Sequence, residues 1–180
     1  GGFDPARVLP DTIFLETLIH DFDTLRFLNP GAEPVEVYAT ADALVEPEWR
    51  DRGLLDTAVV VIRFDNGAVA TAEACFEAAY GYDVRGEVLG SGGMAQMGNG
   101  RRTGLLFSDA AGRHVETARS DQELFAGAYV AEVAAFVEAV RGGTPAPATG
   151  EDARAALAIA LAAAESVRAG RPVRIDEVAK

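Results

Sequence analysis

Two hydrophobic periods alternate along this chain. Between Thr12 and Leu28, Phe14, Leu15, Leu18, Ile19, Phe22 and Leu25 fall on one broad face at about 100° per residue. This predicts a single amphipathic helix, with Asp11 as its N-cap and Asn29–Gly31 as its stop. A period of two then takes over. Val35–Thr40, Asp56–Phe64 and Ala68–Phe76 read as strands, and Asp65–Gly67 between the last two reads as a hairpin turn, because Asn-Gly accepts the positive φ angles of a tight turn. Tyr80–Gly90 reads as a further strand. Gly90–Gly93 makes a turn into Met94–Met97, and "TGLLFSD" and "RHVETA" flank "AAG" as another hairpin.

Helical spacing returns near the C-terminus. Asp121–Arg141 predicts a helix ended by Gly142 and Gly143. After the connector "TPAPATG", Thr149 is placed as an N-cap, with Asp152 three residues on in a capping-box position, and Gly170 is suited to close that helix. "RPVRI" reads as a last short strand. Helices segregated from hairpin-connected strands indicate an α+β fold: a large, mostly antiparallel sheet with helices on one face.

Charge and composition narrow the classes of function. A chain of 180 residues suits one domain spanning 1–180. With 49% hydrophobic and 24% charged residues it reads as an ordinary globular protein. A net charge of −12 argues against nucleic acid as a partner and against an anionic membrane surface. No apolar run reaches the roughly 18 residues a membrane span needs, and "GGFDPARVLP" has no signal-peptide character. The single cysteine, Cys75, lies in strand-like text and reads as a small buried hydrophobe, not a nucleophile. These features point to a cytoplasmic protein. The chain opens on Gly1 without an initiator methionine, which reads as a piece of something longer.

Candidate chemistry is concentrated in "FLETLIHDFDTLRFL". On a helical wheel Glu16, His20 and Asp23 lie within about 60° of one another, apart from the apolar face. A histidine flanked by carboxylates can take a proton from an alcohol near neutral pH. The same spacing also describes the solvated side of an amphipathic helix, with Glu16–His20 an ordinary i,i+4 pair. Glu-x-x-x-His can bind zinc, but His114 lies in a predicted hairpin and Cys75 stands alone, so no metal is expected. "GSGGMAQMGNG" does not open a helix, so it reads as a turn and not as a phosphate cradle. "YGYD" puts Tyr80 and Tyr82 on one face of a strand, as a cross-strand aromatic pair or as hydroxyls for a polar substrate.

Taken together, "ETLIHDFDTLRFL", "VIRFDNGAVAT", "YGYDVRGEVLGSGGM" and "EVAAFVEAVRGGTPAPATGEDARAALAIALAAAESVRAGRPVRI" resemble the Gfo/Idh/MocA family of NAD(P)-dependent oxidoreductases, and its inositol 2-dehydrogenase branch in particular. The resemblance covers nearly the whole chain in the right order. It implies the C-terminal substrate-binding and oligomerisation domain of a two-domain enzyme, whose N-terminal Rossmann domain binds NAD or NADP. It implies hydride transfer from a sugar or polyol. His20 corresponds to the residue that takes the hydroxyl proton, Glu16 to an acidic residue one turn earlier, and Asp23 to a carboxylate on substrate hydroxyls. Tyr80, or Tyr82 if the alignment shifts, corresponds to a substrate contact. It also implies a homo-oligomer formed through the sheet face.

Two departures stand out. The Glu16 position is usually aspartate in inositol dehydrogenases, and the extra methylene puts inositol specificity in doubt. The Rossmann half is absent: no G-x-G-x-x-G follows a strand, and the family's catalytic lysine has no counterpart, since the only lysine is Lys180. The isolated chain is therefore expected to be inactive, with "GGFDPARVLP" the loop leading to its first helix. The alternative is a stand-alone, non-catalytic dimerisation or small-ligand-binding module.

Overall fold

The structure is a computed structural model that describes residues 7–98 and 100–178. Most of the opening loop read in the sequence, Gly1–Ala6, and Lys180 lie outside the described residues. The described chain forms two compact bodies, 7–77 with 148–178 and 78–147. Its strands pair only antiparallel and its helices stand apart from them in sequence, so the fold class is α+β.

The first helical segment departs from the sequence expectation. Ile13–Leu18 is a π-helix, and α1, Ile19–Leu28, continues from it. Widening to i→i+5 spacing stacks Ile13 and Leu18 one turn apart. Both are buried with Phe14, although Ile13 is off the α-helical stripe. Asp11 is not the side-chain cap. It has φ 66°, its carbonyl accepts from the Phe14 and Leu15 amides at 2.9 and 3.0 Å, and its carboxylate pairs with Arg168 at 2.9 Å. Thr12 occupies the cap position, but its hydroxyl accepts backwards from the Leu9 amide at 2.9 Å.

The sheet of the first body contains β1, Pro34–Asp42; β2, Thr57–Phe64; and β3, Val69–Cys75, ordered β3-β2-β1 with one further two-residue strand, Val173–Arg174, beside β1. Alternation sends Val37 and Ala39 of β1 and Ala58, Val60, Ile62 and Phe64 of β2 into the core. The turn between β2 and β3 has positive φ only at Gly67, 88°, and not at Asn66. Phe64 N–H donates to the Ala68 carbonyl at 2.9 Å across it. It is thus a three-residue loop over Asp65–Gly67, where the sequence placed the turn, with the left-handed conformation taken by Gly67 alone and not shared with Asn66.

The long C-terminal helix, Gly150–Ala169, packs on this sheet through Ile159 and through Ala156, Ala160, Ala163 and Ala164, whose small side chains let the backbone approach closely. The expected capping box is present: Thr149 Oγ1 accepts from Asp152 N, and the Asp152 carboxylate accepts from Thr149 N at 2.9 Å. Gly170, at φ 64°, closes the helix. The two-residue strand pairs only with Glu36 and Val37, so the Ala39 amide lies beyond its end. Buried Ser166 accepts from that amide at 3.0 Å and donates to the Arg171 carbonyl at 2.7 Å. One hydroxyl thereby satisfies a backbone donor that the short strand cannot reach.

Buried Asp56 organises the loop after β1. Its carboxylate accepts from the Leu44, Val45 and Glu46 amides at 2.9, 3.0 and 2.8 Å and from the Thr57 hydroxyl at 2.8 Å. Burial pushes its carboxyl up, but these donors outweigh burial and hold it below the usual carboxylate range. Beside the loop, Val8, Ala43, Trp49 and Leu54 form a small second cluster with Phe76. Cys75 corrects the sequence reading: it is exposed, because it shares the outward parity of β3 with Val69, Thr71 and Glu73.

The second body holds two hairpins and a helix. β4, Gly86–Gly90, pairs with β5, Gly93–Met97; β6, Leu106–Asp109, pairs with β7, Gly112–Val115. The helix α2, Asp121–Gly142, starts at Ser120, whose hydroxyl accepts from Glu123 N, and ends at Gly143 with φ 61°. The glycine-rich run around Gly90–Gly93 turns a hairpin and opens no helix. Tyr80–Arg85 lies outside the strand expected there. The C-terminal helix of the first body is therefore α3, the strand Val173–Arg174 is β8, and a last turn, Ile175–Val178, is α4. Among the described residues, no helix is long and apolar enough to cross a membrane.

Candidate active site

The helix that bears His20 is fixed from behind. Phe14, Leu18 and Phe22 are fully buried, and Leu15, Ile19 and Leu25 pack against the same core. Glu16 and His20 are exposed on the other side, and Asp23 is half-buried. Glu16 lies in the π-helical turn and His20 in the first turn of α1, so the change of helix type falls between the two. Such π turns recur at functional sites. Among the described residues, no hydrogen bond joins the Glu16 carboxylate to the His20 ring. The Thr24 hydroxyl donates to the His20 carbonyl at 2.8 Å.

Two carboxylates adjoin the histidine in sequence. Burial pushes the Asp21 carboxyl up, and the His20 charge pulls it partly back. Asp23 lies 3.7 Å from Arg26, whose guanidinium also reaches the Asp152 carboxylate at 3.4 Å. Asp152 is held below the usual range by the Thr149 hydroxyl and amide first and by Arg26 after them. Asp23 is thus linked through Arg26 to the capping box of α3, a connection invisible at sequence spacing. Phe27, seven residues beyond His20 on the same helix face, is 81% exposed. Among the described residues, no group of three or more His, Cys, Asp or Glu side chains could hold a metal ion.

The tyrosines belong to the second body, and the structure tells them apart. They do not share a strand face, because the chain there is irregular and Gly81 has φ 137°. A Cβ at Gly81 would meet the Ala118 carbonyl and the Thr117 hydroxyl at 2.6 Å, so only glycine permits this approach. Tyr80, 58% exposed, donates its hydroxyl to Asp83 Oδ2 at 3.2 Å. The Tyr82 ring packs edge-on against Phe125, with centroids 6.2 Å apart, and Phe125 in turn meets Tyr129. Asp83, whose side chain is only 9% exposed, also receives Arg85 Nε on Oδ2 at 2.8 Å. Sequence reasoning missed Asp83 and Arg26. "YGYD" was read for its phenols alone, and the partners of Arg26 lie on different helices.

The first body offers an exposed imidazole and an exposed carboxylate on a rigid helix; the second, taken by itself, offers an exposed phenol with a fixed hydroxyl. These groups suit proton transfer from, and hydrogen bonding to, a polyhydroxylated ligand. Among the described residues, no glycine-rich turn after a strand opens a helix, so these residues do not by themselves fit a nicotinamide dinucleotide.

Residues 7–175 match the C-terminal α/β domain of the Gfo/Idh/MocA oxidoreductase family. Myo-inositol 2-dehydrogenase of Thermotoga maritima is 38% identical over 167 residues, covering 92% of this chain and 50% of the relative. The scyllo-inositol 2-dehydrogenase (NAD(+)) of Bacillus subtilis is 34% identical over 177 residues, covering 97% and 52%. A crystal structure of scyllo-inositol dehydrogenase from Lactobacillus casei, with bound NAD(H) and scyllo-inositol, superposes with a TM-score of 0.86 at 27% identity, over 91% of this chain and 48% of that one. The chain spans about half the length of the curated relatives it matches. With the α+β fold, the helix of His20 and the match over almost its whole length, the chain belongs to the Gfo/Idh/MocA oxidoreductase family, as a C-terminal α/β domain.

Proposed function

We propose that this chain is the substrate-binding and oligomerisation domain of a longer two-domain dehydrogenase that oxidises an inositol-like polyol or sugar. The observation that carries the reading is the exposed His20 on a helix whose opposite side is fully buried. His20 accepts the hydroxyl proton as the ring C–H hydride and its electron pair depart, leaving a carbonyl. Glu16 faces solvent one turn earlier on the same helix and orients the imidazole once substrate closes the site. Asp23, steadied by Arg26, accepts from a second hydroxyl, and Tyr80 contacts a third, with Tyr82 as the alternate contact. NAD or NADP, bound by the other half of the full-length protein, would supply the hydride acceptor. The names of the relatives favour NAD and inositols.

The same reading includes pairing of two copies through the sheet face. Tyr38, Val59 and Val69 are exposed on it. Light scattering that finds only monomers of the full-length protein would count against this pairing.

The test is NADH formation by the full-length protein with myo- or scyllo-inositol. His20→Ala is expected to lower turnover on the order of a hundredfold or more, as loss of a general base does. Near-normal turnover in that variant would remove His20 from the reaction. Detectable NAD reduction by the 180-residue chain alone would overturn the assignment of the cofactor to the other half.

A further inference from the structure

The proposed site uses Tyr80 and leaves Asp83 without a role, yet Asp83 is among the least ordinary groups in the second body. Its side chain is nine-tenths buried, and Oδ1 is enclosed with no hydrogen-bond partner among the described residues. Its other oxygen, Oδ2, takes both the Tyr80 hydroxyl and Arg85 Nε. Burying a carboxylate costs free energy unless its hydrogen bonds return it. Here the return is concentrated on the oxygen that faces Tyr80.

The backbone holds this pair in place. The Thr117 hydroxyl donates to the Tyr80 carbonyl, and the Tyr82 amide donates to the Ala118 carbonyl at 2.8 Å. Gly81 between them sits too close to Thr117 and Ala118 for any side chain. Residues 80–82 are therefore pinned at both ends, and the phenol of the first meets the carboxylate of the residue that follows them.

Resting on the reading of Tyr80 as a substrate contact, we propose that Asp83 is a positioning residue that accepts the phenolic hydrogen bond, so that Tyr80 meets a substrate hydroxyl only as an acceptor. A phenol has one proton and two lone pairs. With the proton committed to a carboxylate, the exposed oxygen offers only lone pairs, and the ligand group it recognises must be a donor. This assigns the subsite a free hydroxyl and disfavours a carbonyl or an ether oxygen. Ligand discrimination here then comes from Asp83, which the ligand does not touch.

Kinetics of the full-length enzyme with NAD and myo-inositol test this. Tyr80→Phe and Asp83→Ala are each expected to raise KM on the order of tenfold, the cost of one lost hydrogen bond, with kcat little changed. The double variant is expected to be no worse than either single variant, and Asp83→Asn, which keeps an acceptor oxygen, to recover most of the loss. Multiplying effects in the double variant, or an unchanged KM in Asp83→Ala, overturns the proposal. An unchanged KM in Tyr80→Phe overturns the substrate role of Tyr80 and the proposal with it, while the His20 reading stands or falls on its own variant.

A ligand-free readout covers an enzyme that turns over no polyol. With tyrosine labelled at 13Cζ, the signal lost in Tyr80→Phe should move in Asp83→Ala while the other tyrosine signals stay. An unmoved Tyr80 signal overturns the pairing, and shifts spread over all tyrosines would show a general structural role instead.

Discussion

The two bodies of this chain support their candidate groups in different ways. In the first, His20 rests on a core in which Phe14, Phe22, Val37, Val60, Ile62 and Ile159 are fully buried. In the second, Ala118 and Ala139 are the buried hydrophobic residues among those described, and Leu89, Leu105, Phe107, Val130, Val133, Phe136 and Val140 are exposed. Tyr80 there is held by hydrogen bonds and a close-packed glycine, not by a hydrophobic wall. A group proposed as a general base needs a fixed position, and packing provides it for His20. A hydroxyl that reads a ligand needs a fixed proton, and a short polar network supplies that without a core.

The largest effect should come from the core that backs His20. Phe22→Ala is expected to destabilise the first body by about 3–5 kcal/mol, and Phe136→Ala on α2 by less than about 1 kcal/mol. Far-ultraviolet circular dichroism in a denaturant titration reads both variants, because each body holds a long helix, α3 in the first and α2 in the second. A comparable loss from Phe136→Ala by the same probe would break the contrast between the bodies.

Next comes Asp56. Asp56→Ala leaves three loop amides without their acceptor and is expected to cost about 2–3 kcal/mol. The pH dependence has a definite sign. The folded carboxyl titrates below its unfolded value of about 3.9, so its contribution is complete above that pH and is lost as pH falls through the folded value. Acid titration of Trp49 fluorescence should therefore show an Asp56-dependent loss of stability only below about pH 4. An identical acid limb in Asp56→Asn would rule out this group as its source.

The smallest effect expected is at the α3 cap. Thr149→Ala should cost about 1 kcal/mol, typical of a lost N-cap, with Thr149→Ser recovering most of it. The same substitution loosens Asp152, which shares Arg26 with Asp23. A raised KM for inositol beyond the stability change would show that the cap reaches the candidate site.

Local rules made much of this molecule legible. The strands around Val37, Val60 and Ala72 follow from alternation, because one face of an antiparallel sheet is buried and the other is not. Thr149 and Gly170 end α3 where caps must, since orphan backbone groups need partners whatever the surroundings. The exposure of Glu16 and His20 is legible too, because helical spacing sets them with Asp23 opposite a strong apolar stripe. The misreadings share a cause. The π turn at Ile13–Leu18 arises where Asp11 and Thr12 spend their side chains on Arg168 and Leu9, leaving the helix start to backbone bonds alone. The hairpin after β2 uses only Gly67, because a three-residue loop satisfies the same register.

What the sequence determined by itself is therefore periodic and local: the α+β class, most strands, the caps of the last helices and the polar face that bears His20. Tertiary structure decided which side chains of distant segments meet. It tied Asp23 through Arg26 to Asp152, freed Cys75 to the surface by its parity on β3, and separated Tyr80 from Tyr82 by giving one a carboxylate and the other an aromatic neighbour. The reason is physical. Periodicity fixes the direction in which a side chain points, but the partner that it finds there depends on loops and packing that no short window of sequence contains.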